Sequence, residues 1–359
     1  MSDAPADPGR PRSRGLVGAL LFLAIVLAPG TAFAHGTQRV ADSDYRARIT
    51  SQDTLDGVRV SLVEAGSRFQ LRNDSGRSVE VLGYSGEPYA EVRPSGVYIN
   101  TYSPAAYLNS PTDATTMPSV PATASVTAPP VWAKASGQHE FRWFDHRAHW
   151  MNAAPPPGVA ADPDRDQRVG TWTIELRTGT TIHTVRGTLE WVAPPRLSTW
   201  LATALLLAGA VAALAVPTVE RQGPRWALVA VTGAAGLAAM VDAVGRSLVA
   251  ADLSTGWFGA LVADESWGFM AGVAALGAAV YAALRRPGAD LALGIAGIAV
   301  AMLAGFSHLA SLSNAVTPTP WGGDLARGLV TAALGIGVGL AAGSLVRARR
   351  VARITASAD

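Results

Sequence analysis

The chain has no cysteine in 359 residues. Disulfides, thiolate metal sites and cysteine nucleophiles are therefore excluded, and an exported domain must fold without cross-links. Lysine is almost absent as well: Lys134 is the only one among 29 basic residues, a bias that reads as a high-GC genome. Charge is sparse at 16% of residues, and a net charge of +2 is too small to call for nucleic acid. Catalytic signatures are missing too. There is no G-x-S-x-G elbow, no phosphate-binding glycine loop, no H-E-x-x-H and no c-type haem motif. Ser, His and Asp are present, but no local context organises them as a triad. A non-enzyme is expected.

The chain begins with an export signal. Arg10, Arg12 and Arg14 precede an apolar run from Leu16 to Leu27, then Pro29, Gly30 and the sequence Ala32-Phe33-Ala34. This is a charged region, a hydrophobic region and an A-x-A cleavage site. Residues 1–34 are thus predicted to be a signal peptide, and cutting after Ala34 leaves His35 as the new terminus. A terminal histidine offers its α-amine and its imidazole together, a nitrogen pair suited to Cu(II). Copper is the candidate cofactor on this ground, and His35 its first candidate ligand.

Composition divides the rest. Residues 35–195 are mixed and hold all but one of the histidines. Val58, Val60 and Leu62 alternate with polar residues, as do Phe69 and Leu71. Further strands are expected at 78–82, 90–92, 138–144, 170–176 and 181–191, with a Pro/Thr/Ser/Ala loop at 110–130. Many short strands without a convincing amphipathic helix predict an all-β domain, an Ig-like antiparallel sandwich. Pro194 and Pro195 form a short stiff link that keeps it close to the bilayer.

Residues 196–346 are rich in Ala, Leu, Gly and Val. Five stretches approach the roughly 20 apolar residues that span a bilayer: about 197–217, 226–246, 267–284, 289–312 and 325–346. An all-α bundle of five transmembrane helices is expected, followed by a cytoplasmic tail, 347–359. Arg221, Arg225, Arg285, Arg286, Arg347, Arg349, Arg350 and Arg353 mark the cytoplasmic side. Asp252, Asp264, Glu265 and Asp324 fall in outer loops. The predicted localisation is the plasma membrane, with the N-terminal domain extracytoplasmic and the C-terminus cytoplasmic.

Residue chemistry points to two candidate sites. In 141–151 (FRWFDHRAHWM), Asp145, His146 and His149 could ligate a metal, provided the chain turns there, because residues three apart on a strand face opposite ways. The alternative is a buried ion-pair and stacking cluster around Arg142, Arg147, Asp145 and Trp150. His139 reads as a surface residue and His183 as a satisfied core histidine. In the bundle, Asp242 and Arg246 share a helix face near the outer end, and Asp324 and Arg327 open the fifth stretch. Ionisable groups are costly in lipid. Interfacial snorkelling with an Asp–Arg pair explains them; so does a polar pocket beneath the exported domain. His308, with Met240, Met270 and Met302, would then offer soft ligands for Cu(I).

The strings Gly83-Tyr84-x-Gly86-Glu87-Pro88-Tyr89, Gly96-Val97-Tyr98-x-Asn100, Ser103-Pro104-Ala105 and Asp145-His146-Arg147-x-His149-Trp150-Met151 resemble a family of actinobacterial exported membrane proteins. That resemblance covers most of 35–195 and implies an exported domain carried by helices, with no activity attached. His35-Gly36 is also loosely similar to the mature start of periplasmic copper-resistance proteins, small β-sandwiches some of which are fused to membrane helices. They imply copper at the terminal histidine; the Ser-x-Pro-Ala stretch that comes after it in those proteins is missing here. Lytic polysaccharide monooxygenases share the terminal histidine, but their second histidine and flat aromatic face find no match. The functional expectation is a non-catalytic, membrane-anchored envelope protein with an extracytoplasmic binding domain that handles copper. The alternative is an envelope protein that binds a structural partner with no metal role. In both cases the partners are the membrane lipid bilayer and an envelope protein.

Overall fold

The computed structural model describes residues 40–109, 119–216, 222–251 and 253–356. The expected signal peptide, His35, Arg221 and Asp252 lie outside them. Antiparallel strands form two sheets, and a helical region comes after them. The strands are β1 (Tyr45–Gln52), β2 (Val58–Val63), β3 (Arg68–Asn73), β4 (Val79–Leu82) and β5 (Pro88–Arg93). After them come β6 (Gly96–Asn100), β7 (Trp132–Ser136), β8 (Glu140–Trp143), β9 (Gln167–Thr178) and β10 (Thr181–Trp191). The larger sheet runs β1-β10-β9-β4-β5-β6-β7 and the smaller β2-β3-β8.

Alternation explains the faces. Val185, Gly187 and Leu189 are buried along β10, while Arg186 between them is exposed. Phe69 on β3 stacks on Trp143 of β8 and meets Trp172 of β9 edge-on at 5.0 Å, which ties the small sheet to the large one. Gly187 leaves room for this: a Cβ there would stand 2.0 Å from the Trp172 ring. No sequence pattern announces β7. Its side chains are mostly exposed, as suits an edge strand with no inward alternation.

Five helices are long and apolar enough to cross a membrane: Leu197–Ala215, Gly223–Val249, Gly256–Ala283, Ala289–Leu312 and Gly323–Arg350. Their small residues permit close approach. A Cβ on Gly297 of the fourth span would come within 2.6 Å of Gly337 O of the fifth, and the reverse holds equally. The third span starts well before residue 267, and this corrects the expectation that Asp264 and Glu265 lie in an outer loop. A turn of π-helix, Leu261–Glu265, carries them inside the helix. A second π turn, Ala301–Gly305, interrupts the fourth span before a 3₁₀ stretch in which His308 leaves helical geometry (φ −114°, ψ 23°). Such turns insert a residue and re-aim the side chains beyond them.

The β region is seated on one end of the bundle. Ser43 and Val316 exchange backbone hydrogen bonds of 3.0 and 2.8 Å. Asp44 accepts from the Ala315 amide at 2.8 Å, and Arg142 donates to Ala251 O at 2.5 Å.

Candidate functional site

Beneath that seat, at the ends of the second, third and fourth spans, ionisable side chains converge. Asp242, Arg246, Glu265 and His308 are all buried. The i,i+4 spacing puts Arg246 Nε 3.0 Å from Asp242 Oδ2. The same Asp242 oxygen lies 2.9 Å from His308 Nδ1, at ion-pair distance but outside hydrogen-bond alignment. His308 Nε2 lies 3.1 Å from Glu265 Oε2. The two π turns bring this pair together: the first places Glu265, and the second precedes His308 itself.

The segment leading into β1 closes the cluster from above. Arg246 NH1 is 3.6 Å from Asp42 Oδ2, and Arg246 NH2 donates to Ser311 Oγ at 2.6 Å. Ser311 in turn donates to Asp42 Oδ1 at 2.7 Å. A cavity of about 260 Å³ opens beside them, lined by Val40, Asp42, Arg246, Glu265, Ser307 and His308. Among the described residues a pocket therefore lies between the segment before β1 and the ends of these helices. His308 lines this cavity, whereas Met240, Met270 and Met302 do not, and Met270 and Met302 sit on exposed helix faces that suit lipid. A histidine between carboxylates can pass a proton. Arg327 serves the same end of the bundle, donating to the Ser311, Asn314 and Ala315 carbonyls between 2.9 and 3.2 Å.

The second place of dense chemistry is the loop after β8. Asp145 is fully buried. Its Oδ1 accepts from the Arg147 amide and Nε at 3.1 and 2.8 Å; its Oδ2 accepts from Trp143 Nε1 and Arg147 NH2 at 3.1 and 2.8 Å. The chain does turn here, in a 3₁₀ turn over His146–Ala148 capped by Asp145. His149 packs its ring on Phe144 at 4.0 Å, and its Nδ1 lies 2.7 Å from Asp145 O. Its Nε2 is buried near the Ser67 backbone without hydrogen-bond alignment. Burial pushes the imidazole of His149, and that of His146, below its ordinary value, which favours the neutral form.

Residues from several of the strings quoted above, at 83–89, 103–105 and 145–151, meet around this loop. Arg147 lies over the Tyr84 ring at 5.0 Å and donates to Leu82 O and Gly83 O. Tyr84 hydroxyl bonds Asn109 and accepts from the His146 amide. Glu87 accepts from Ser103 Oγ at 3.1 Å and the Ser85 amide at 2.9 Å. The polar residues of the strings mostly satisfy one another. Arg142 goes elsewhere, to Gln70 and Ala251. His139 is exposed and bonds Pro94 O, and His183 bonds Thr178. Among the described residues, no three His, Asp or Glu side chains are grouped to hold a metal ion.

Sequence reasoning finds Asp242, Arg246, His308 and, beside it, Ser311, but misses Asp42 as their partner. Asp42 sits in a short polar stretch with no periodicity, and nothing local announces a contact 269 positions away. No family model matches the chain, and neither a curated protein nor a solved structure is significantly similar to it.

Proposed function

We propose that the protein is a non-catalytic, membrane-anchored cell-envelope protein whose β-sandwich is an extracytoplasmic binding domain in the plasma membrane's outer space. The observation that carries this reading is the seat of the β region over a charged cavity, at the end of the bundle away from Arg225, Arg285 and Arg286. Arginine-rich loops stay on the cytoplasmic side. The cavity and the sandwich over it then face an envelope partner. Reporter fusions after Arg286 and after Asn314 test the orientation. The first is expected to report the cytoplasm and the second the exterior. Both on one side, or the reverse order, would sink the proposal.

A second reading is copper capture by the amine and imidazole that processing after Ala34 would create at His35. His146 and His149 are its other candidate nitrogen ligands; Asp145, with both oxygens engaged, is left out of this reading. Cu(II) titration of the processed full chain is expected to show a site that an extra residue ahead of His35, or His35→Ala, weakens at least about tenfold. His139→Ala should leave it unchanged. Equal affinity in the extended chain would remove copper from the account.

A further inference from the structure

The opposite end of the bundle carries chemistry that the proposed function does not use. Arg225, Arg285 and Arg286 line a cavity of about 370 Å³ together with Gly288, Ala289 and Asp290. The acid does not balance them, because Asp290 is held by a fourth arginine: Arg347 NH1 lies 2.7 Å from its Oδ1. Arg225 is only 4% exposed, yet among the described residues its Nε has no hydrogen-bond partner. A buried guanidinium with an unmet donor, on the wall of a cavity, is set for an acceptor from outside the chain.

The backbone adds two further observations. The fourth span starts in this cavity, with Gly288 at its N-cap and no side chain capping it. The Ala289 amide donates to Arg286 O at 3.2 Å, and the helix dipole at such a start favours an anion. The turn before it is a Schellman arrangement: Arg285 N bonds Ala282 O at 3.1 Å and Arg286 N bonds Tyr281 O at 3.3 Å. The position after the helix cap in that motif wants glycine, yet Arg285 occupies it at φ +53°. The chain tolerates a strained backbone there and gains a guanidinium at the cavity. Beside these residues in sequence, Trp226 and Leu284 are exposed, as expected where a helix end meets the membrane surface.

We propose that this arginine end of the bundle binds a phosphate-bearing anion, supplied by an anionic lipid headgroup or a soluble phosphate ester. Arg285 and Arg286 meet the phosphate oxygens from the turn and Arg225 from the second span, beside the positive dipole end of the fourth span. Planar guanidinium groups suit paired phosphate oxygens. The site stands whichever side of the membrane it faces and whatever the β region binds.

The test uses the full chain in detergent, titrated separately with short-chain phosphatidylglycerol, short-chain phosphatidylcholine, inorganic phosphate and glycerol phosphate. Phosphatidylglycerol is expected to bind and to raise the thermal midpoint, and phosphatidylcholine to do neither. Saturable binding of the soluble phosphates instead would keep the site and identify its source as soluble. R285G is the decisive variant, because it relieves the backbone while removing the guanidinium. Its ligand-free midpoint should equal or exceed that of the parent, and its affinity should fall about tenfold. Parental affinity in R285G would overturn the proposal. So would a lower ligand-free midpoint, which would show the arginine serving the fold, or a failure of every phosphate compound to bind.

Discussion

Arg246→Met is expected to be among the most damaging single changes in the helical region, with a loss of about 3–5 kcal/mol. Arg246 is buried between Asp242 at 3.0 Å and Asp42 at 3.6 Å. A methionine of similar length leaves both carboxylates without their guanidinium, where water reaches them poorly. The cost is the stranded charge more than the lost attraction. Adding Asp242→Asn to that variant should therefore recover part of the stability, although it removes another interaction. Thermal unfolding of the full chain in detergent measures both. A loss below about 1 kcal/mol for Arg246→Met would place the cluster in the range of solvated surface pairs and remove the case for an enclosed site.

The second large effect is expected at Asp145, in the β region. Asp145→Ala removes the acceptor for four donors from Trp143 and Arg147, and the cap of a 3₁₀ turn. Arg147 would remain between Tyr84 and the Leu82 and Gly83 carbonyls with its charge uncompensated. The expected loss is about 3–5 kcal/mol, read as a lowered thermal midpoint and as protease cleavage within residues 140–150 of the full chain. Asp145→Asn keeps the shape and should cost less. Asp324→Ala is the contrast: that carboxylate also touches an arginine, at 3.0 Å, but its side chain is 93% exposed. It should cost under about 1 kcal/mol. Equal losses at Asp145 and Asp324 would show that burial does not set the value of these pairs.

The parts of the fold legible in the sequence are those written in local period. Phe69 and Leu71, or Val185 and Leu189, alternate cleanly and lie on buried strand faces. The five apolar stretches are long enough that length alone decides them. The start of the third span is not legible, because Asp264 and Glu265 read as loop residues. Their place in a helix depends on a π turn and on His308, which is distant in sequence. The candidate site is half legible for the same reason. Asp242 and Arg246 are an i,i+4 pair and announce themselves. Asp42 reaches Arg246 only through the assembled tertiary structure. Around Asp145 the sequence leaves metal ligation and an ion-pair cluster open. No spacing rule could foresee that both carboxylate oxygens would be taken by neighbours two residues away on either side.

The contact between Ser43 and Val316 has a consequence for the order of biogenesis. Asp44 and its partner Ala315 are 271 positions apart. Synthesis runs from the N-terminus, so the strands of the β region are complete long before residue 316 exists. The segment before β1 therefore has nothing to pair with until the fourth span is in place. Until then Asp42 is without Ser311, and the segment before β1 cannot close over the mouth of the bundle. Seating is a late event with a long loop to close, a final latching step that separates an inserted chain from a finished one.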